Sequence, residues 1–557
     1  MCCGSKAAGT GERQRLVDRH ERERQAVAEL AELFETDRRI SFYEGPALAA
    51  LAVLAQSESA QLQHTAATAF SEVSEYDVRA TGAEALGVMV GLLAAEQAET
   101  RQAAATALGN LATHAANRRA IVAAGGLAGL VRQLRAAAAG GGVGVAAVGC
   151  VTNLAADAEN KEAVARSGAV EPLALLAQSR DARVQRNAAG ALLNLTHGAE
   201  ARAAVAAGGA VAALAALTDA RDAETQHYAL TALGNVAVDA CGRDALWATP
   251  ALPERLVLAL RGRAQAAAAR ALRNLASDER FQAALVRAGA LDALRPLLRA
   301  SSSGLVAAAA ACVRNLALHA DNAAAVAEMA PELLPLVTKH AQPDAQCHAV
   351  AALRNAAVAA PAAAQSLAAA GLFACLDTAL AATTTQPPTL AELAAALGAF
   401  ALSDSLWRPV VELGLCARLV RLARAPPGPA ARGACLALAS LAARREPEVL
   451  EELLRLWRRG LRDCLAHALA RPEHADQRAA VLWLARALLL SKRTDARRAV
   501  ATDPELVAAI EALATPIGSR DPAPPVSLSD DDAAGEGDAP RVRALALQVV
   551  AAVQTAA

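Results

Sequence analysis

Three segments of the chain repeat one polar pair inside an apolar run: ALRNLA at 271–276, CVRNLA at 312–317 and ALRNAA at 352–357. The pair sets Arg273, Arg314 and Arg354 immediately before Asn274, Asn315 and Asn355, and the Asn recurs without the Arg at Asn110, Asn153, Asn194 and Asn235. A carboxamide donates and accepts at once, so a row of them can pair with the N–H and C=O groups of an extended backbone. A guanidinium adds a planar fork suited to carboxylates and carbonyls. This is recognition chemistry, directed at an extended segment that is acidic or rich in carbonyls. Two bland readings stay open beside it. The Asn could satisfy neighbouring backbone groups within the protein, and the Arg could be solvated charges on a helix face.

Bond-making chemistry has no comparable support. The chain holds no Gly-x-Ser-x-Gly, His-Glu-x-x-His or P-loop pattern, and its ten His form no ligand cluster. GVGVAA (142–147) matches a loose dinucleotide fingerprint but lacks the strand that must precede it. Asn194-Leu195-Thr196 is a formal glycosylation sequon in mid-helix, expected to be silent. The ten cysteines form no CxxC pair; Cys2 and Cys3 are adjacent, and the other eight are expected to be reduced core residues. No enzyme activity, cofactor or metal is expected. Basic and acidic residues number 55 and 56, so no net field recruits nucleic acid. Two uncharged stretches, 136–156 and 355–376, are Ala-rich and interrupted by Gly or Pro, and neither reads as a membrane span.

The elements that must position the polar pairs follow from their period. The Asn at 110, 153, 194, 235, 274, 315 and 355 are separated by 43, 41, 41, 39, 41 and 40 residues. The register extends upstream to Glu72 and downstream through LGAFAL (397–402), LALASL (436–441) and VLWLAR (481–486). Within one unit, 99–114 reads as a long helix, 117–127 starts a short helix that ends at a Gly pair, and 127–136 is another helix. The Gly recurs in SGAV (167–170), GGAV (208–211), AGAL (288–291) and AGLF (370–373). There it can take the left-handed conformation that turns the chain sharply.

Three helices with such a corner, repeated about every forty residues, are the armadillo unit. The predicted fold is all-α: a right-handed superhelical armadillo-repeat solenoid of about eleven repeats over 41–515. A charged helix at 12–40 precedes it, a disordered acidic linker at 516–540 and an amphipathic helix at 541–557 follow, and RAPPGPAA (424–431) is a loop within a repeat. In such arrays the third helices line the concave face, with the Asn near their C-terminal ends. Stacked helices sit about 8–10 Å apart and an extended chain advances about 3.3–3.6 Å per residue, so one Asn meets the partner about every third residue. Nuclear-import receptors pair each such Asn with a Trp one turn earlier; here that column holds Thr106, Gly149, Gly190, Thr231, Arg270, Ala311 and Ala351. An import function is disfavoured.

With the repeats aligned, SFYEGPALAALAVLAQSESAQLQHTAATAF (41–70), RVQRNAAGALLNLTH (183–197), ALGNVAVDA (232–240), RALRNLASD (270–278) and AQCHAVAALRNAA (345–357) closely resemble the fungal vacuolar armadillo proteins, the vacuolar protein 8 family. The resemblance runs from about residue 20 to the C-terminal helix and is weak beyond 380. It implies a membrane-anchored adaptor on the cytosolic face of the vacuole. The groove of such proteins takes up a myosin adaptor for vacuole inheritance, a nuclear-envelope protein at nucleus–vacuole junctions, and autophagy factors; they also act in homotypic vacuole fusion. It maps the binding role onto Arg273, Arg314, Arg354 and their adjoining Asn.

The family's N-terminus is typically Met-Gly followed by a Cys cluster, whereas this chain reads MCCGSK, with Gly4 out of place for myristoylation. Cys2 and Cys3 are the expected palmitoylation sites in an acylation segment at 1–11, since two acyl chains suffice for stable anchoring. The charged helix would link this anchor to the array, or pack on the first repeat and govern self-association. The alternative is a soluble armadillo scaffold of a ubiquitin-ligase or signalling complex, although the U-box such chains usually carry has no counterpart in the sequence.

Overall fold

Alanine dominates the chain, and Ala has the highest helix propensity; the structure follows that bias. The computed structural model describes residues 5–36, 41–141, 144–426, 428–470, 475–491, 493–514 and 538–556. Every regular element among them is a helix. The helices gather into two compact units, Met1–Leu275 and Ala276–Ala557, and each is a stack of armadillo repeats.

In the first unit, α1 (Ser5–Thr36) begins ahead of the boundary expected at residue 12. It packs on the first short helix of the array, Gly45–Ala55. Ala26 is buried in that contact, and the Ser57 hydroxyl donates to buried Glu23 at 2.7 Å, which holds the carboxyl below its usual range. Six long helices then carry the repeats: α2 (Ala60–Tyr76), α3 (Ala98–Leu111), α4 (Val145–Ala155), α5 (Ala182–Leu195), α6 (Ala223–Val236) and α7 (Gln265–Leu275). In α5 the Asp181 side chain caps the N-terminus by accepting from the backbone N–H of Arg183 and Val184. Val184, Ala188, Ala191, Leu192 and Leu195 then face the core at helical spacing.

The second unit repeats the pattern in α8 (Ser303–Leu316), α9 (Pro343–Ala359), α10 (Pro387–Leu402), α11 (Pro429–Ala443) and α12 (Ala475–Leu489). A last helix, α13 (Asp538–Ala556), packs on α12 as a further long helix would, burying Val542, Leu545 and Val549. The expected acidic linker lies outside the described residues up to 537, and α13 starts ahead of its expected first residue, 541.

The corners are where the sequence placed them. Gly125 and Gly209 have φ of 84° and 72°, and Gly168, Gly289, Gly371 and Gly414 share the left-handed conformation. Ala251, at φ 53°, takes this place in one repeat, where its Cβ is crowded, and Met329, at φ −86°, takes it in another. The stretch 136–156 is broken between Ala138 and Val145, and 355–376 is divided among three helices. No single helix among the described residues is long and apolar enough to cross a membrane. Of the eight cysteines expected in the core, Cys150, Cys312, Cys416, Cys435 and Cys464 are buried. Cys347 and Cys375 are half-buried and Cys241 is exposed, because it occupies the outward side of a short helix.

Ion pairs bridge neighbouring repeats along the helix edges. Arg186 on α5 holds Asp222, the cap of α6, through Nε at 2.9 Å and Nη2 at 3.1 Å. In the second unit Arg418 holds Asp377 at 2.8 Å, and Arg295 and Arg299 converge on buried Glu332 at 3.0 and 2.8 Å. Bonds from Thr225 and Arg186 lower the Asp222 carboxyl to about 2 from an ordinary 3.8. A depressed carboxylate stabilises the fold above its unfolded value, and that contribution is lost as pH falls through the folded value. Asp222→Asn should therefore lower the urea midpoint above pH about 4, and the difference from wild type should vanish as pH approaches 2. A difference independent of pH would show that charge plays no part in this bridge.

Candidate peptide-binding groove

The long helices end with carbonyls that have no partner within the helix, and after α3 to α8 a residue of the following turn or short helix supplies one. Asn117 donates to the Leu111 carbonyl at 2.9 Å, Asn160 to Leu154 at 3.3 Å, Arg202 to Thr196 at 3.0 Å and Arg243 to Ala237 at 3.0 Å. In the second unit Gln282 reaches Ala276 at 3.0 Å and Asn322 reaches Leu316 at 2.9 Å. The donor always sits six residues after the acceptor. These caps fix the turn beyond each of α3 to α8, and hence the rows of side chains in its last turns. The column was missed in the sequence because its residue type changes; its signal is a long donor at constant spacing.

The ladder Asn all lie in those last turns and are half-buried. In six of the seven the Nδ2 group points to the preceding repeat. Asn153 donates to the Gly109 carbonyl and Asn194 to that of Thr152, each at 3.0 Å, and Asn274 to that of Gly234 at 2.8 Å. Asn110 and Asn235 reach the hydroxyls of Ser74 and Thr196, both at 3.0 Å. In the second unit Asn355 donates to the Arg314 carbonyl at 3.1 Å. The donor half of the amide is thus used within the array, as one of the two sequence readings allowed. Asn194 of the formal sequon is held by the same type of bond, inside α5.

Where an Arg precedes the Asn, it takes the acceptor half. Arg273 reaches Asn274 Oδ1 through Nε and Nη2 at 3.2 and 3.1 Å, and Arg314 makes the same fork to Asn315 with both distances 3.1 Å. Arg354 repeats it on Asn355 at 3.3 and 3.2 Å. The seven Asn are therefore two classes: at 274, 315 and 355 the carbonyl is covered by an arginine, and at 110, 153, 194 and 235 it carries no such cover.

The three Arg also differ in what else they meet. Arg314 Nη1 lies 3.3 Å from His348 Nδ1, and Arg314 meets no carboxylate among the described residues. Arg354 Nη1 is paired with Glu392 of α10. Glu392 and His348 were not singled out in the sequence, since neither belongs to a repeated column.

In the first unit a cleft runs beside the ladder Asn. It has a volume of about 360 Å³ and is lined by Gln102, Thr106, Asn110, Asn153, Arg183 and Asn187, with Gly109 and Gly149 between them. A Cβ on Gly149 would meet Asn187 Nδ2 at 3.4 Å, so glycine sets the depth here. Cys2 and Cys3 lie outside the described residues. Among the described residues no three or more His, Cys, Asp or Glu side chains are grouped to hold a metal ion.

The armadillo/beta-catenin-like repeat model matches residues 157–197 and 278–318, one segment in each unit. Vacuolar protein 8 of Schizosaccharomyces pombe is 41% identical over 343 residues, 60% of this chain and 62% of that protein. Vacuolar protein 8 of Candida albicans is 37% identical over 200 residues, 35% of this chain and 33% of that protein. The chain is thus similar to members of the vacuolar protein 8 family, and its repeats are armadillo repeats. It spans less than two thirds of the length of these two members. Among solved structures, an engineered protein matches with a TM-score of 0.61 at 29% identity, over 70% of this chain and 98% of its own. A chain solved in work on a phosphorylation switch between cadherin and beta-catenin has the same TM-score at 18% identity, over 91% of this chain and 98% of its own. At that identity the likeness is one of fold.

Removing one ladder amide should weaken stacking more than it disturbs any single helix. Asn153→Ala is expected to lower stability by about 0.5–1.5 kcal/mol, the usual net worth of such a bond, read as a fall in urea midpoint with unchanged slope. An unchanged midpoint would mean that the amide contributes nothing to the array.

Proposed function

We propose that this chain is a non-enzymatic, membrane-anchored armadillo adaptor on the cytosolic face of the vacuole, which captures extended partner segments along its long-helix groove. The observation that carries the reading is Arg314. Its guanidinium is clamped by Asn315, so it is pre-oriented at little entropic cost, and it retains its charge towards the groove face. Residual amide capacity at Asn110, Asn153, Asn194 and Asn235 supplies backbone contacts that are indifferent to sequence. Similarity to the vacuolar protein 8 of two fungi supports the vacuolar setting, and through the resemblance it supports partners of the myosin-adaptor, nuclear-envelope-junction and autophagy classes. Self-association through the N-terminal helix belongs to the same proposal.

Two experiments test it. Arg273, Arg314 and Arg354 changed together to Ala should reduce capture of vacuolar partners at least tenfold, with the melting temperature kept within a few degrees. Undiminished capture would remove these residues from the binding site. A C-terminally tagged chain should mark the vacuolar rim, and the form with Cys2 and Cys3 changed to Ser should spread through the cytosol, as expected when both acyl chains are lost. A rim that persists in the double mutant would place the anchor elsewhere.

A further inference from the structure

The arginines look equivalent in sequence, but in the second unit Glu392 distinguishes two of them. Its carboxylate reaches across from α10 to Arg354 on α9, and its buried Oε1 meets no hydrogen-bond donor other than that guanidinium. The side chains of Arg354 and Glu392 are 26% and 22% exposed, so the pair is open to the groove face rather than sealed in the core. One repeat earlier Arg314 meets only the Asn315 amide and the His348 ring, and no carboxylate among the described residues. These two neighbouring cations therefore differ: among the described residues Arg314 meets no carboxylate, and Arg354 is already neutralised by Glu392.

A second row lies three residues beyond the Asn column. Leu318, Val358 and Leu402 occupy the turns after α8, at the end of α9 and at the end of α10, and they are 58%, 54% and 67% exposed. Large apolar side chains left open at the same place in three consecutive repeats are more than scattered surface residues. They flank the Arg row on the C-terminal side of the helices. An extended segment turns alternate side chains to opposite sides, so one edge of it can face the arginines and the other this apolar row.

We infer that Glu392 is a specificity-determining residue: it stands in for a partner carboxylate at Arg354, so that the second unit selects segments with one acidic residue, placed at Arg314, and apolar residues along Leu318, Val358 and Leu402. This rests on the groove reading above. An acidic residue offered one repeat further on meets a site whose charge is spent, and it must displace Glu392 or be repelled by it. Like charges brought together at an interface are a common means of rejecting wrong partners. Removing the Glu392 charge converts the neutral site into a second cationic one.

The test uses the full-length protein, immobilised through a C-terminal tag, to select from a phage-displayed library of random 12-residue peptides. Wild type should return peptides with a single favoured acidic position among apolar residues. Glu392→Gln, which keeps the side-chain shape, should return a second acidic position about three residues from the first, the spacing of adjacent repeats. A synthetic peptide carrying both acids should bind Glu392→Gln about five- to tenfold more tightly than wild type by fluorescence anisotropy, as expected for one partly exposed charge-assisted contact. Arg354→Gln provides an independent arm: it leaves the Glu392 charge unpaired and should shift that position towards Lys or Arg. Identical acidic profiles from wild type and both variants would overturn the role of Glu392 while leaving the groove reading intact. Selection that is unaltered by Arg314→Ala, or absent from wild type, would overturn the groove reading and this inference with it.

Discussion

Everything in this molecule depends on how closely its long helices can approach. A Cβ placed on Gly234 would lie 3.1 Å from the Ala271 Cα, and one on Gly398 would lie 3.6 Å from the Ala437 Cα. Contacts this short are possible only because the facing surfaces are Ala and Gly, with aromatics held to 2% of the chain. Dispersion grows with intimate contact, and the many small side chains recover by closeness what they lack in bulk. Close approach also brings backbone carbonyls of one repeat within reach of a side chain as short as Asn in the next. The polar ladder is thus a product of the apolar packing beneath it.

That dependence bears on recognition. An amide whose donor is fixed to the neighbouring repeat cannot swing, and an arginine forked onto that amide is held in turn. On the proposed reading the groove presents pre-organised groups, so a partner would not have to supply the entropy of ordering them. Differences between repeats then become informative. The cover of Asn274, Asn315 and Asn355 by arginine, the charge of Arg314 that meets no carboxylate among the described residues and the satisfied one of Arg354 give each position its own chemistry.

What was legible in the sequence is what repeats. The forty-residue period, the glycine corners and the Asn column are enforced in unit after unit by the same backbone geometry, and a single chain displays them as its own alignment. The direction in which each carboxamide points was not legible, because both ends of an Asn are polar and only the stacking distance decides which end is used. Glu392 escaped notice for the opposite reason: it occurs once, in a helix where the Arg–Asn pair gives way to Gly398 and Ala399, and only the fold brings it to Arg354. Ala251 is a similar case, a residue whose type argues against the corner that its neighbours in the array impose on it. Cys2 and Cys3, proposed as the anchor, stand apart, since acylation would follow a modifying enzyme's preference and not packing.

The bonds that join one repeat to the next have a mechanical consequence. Asn153 to Gly109, Arg186 to Asp222 and, in the other unit, Asn355 to Arg314 are each confined to one pair of neighbours. A pull applied along either unit is therefore shared in series, and the weakest junction yields while the others hold. Each junction that gives way pays out about forty residues, roughly 130–145 Å of extended chain. Such an array behaves as a graded shock absorber, lengthening in steps under a load that would part a single rigid interface.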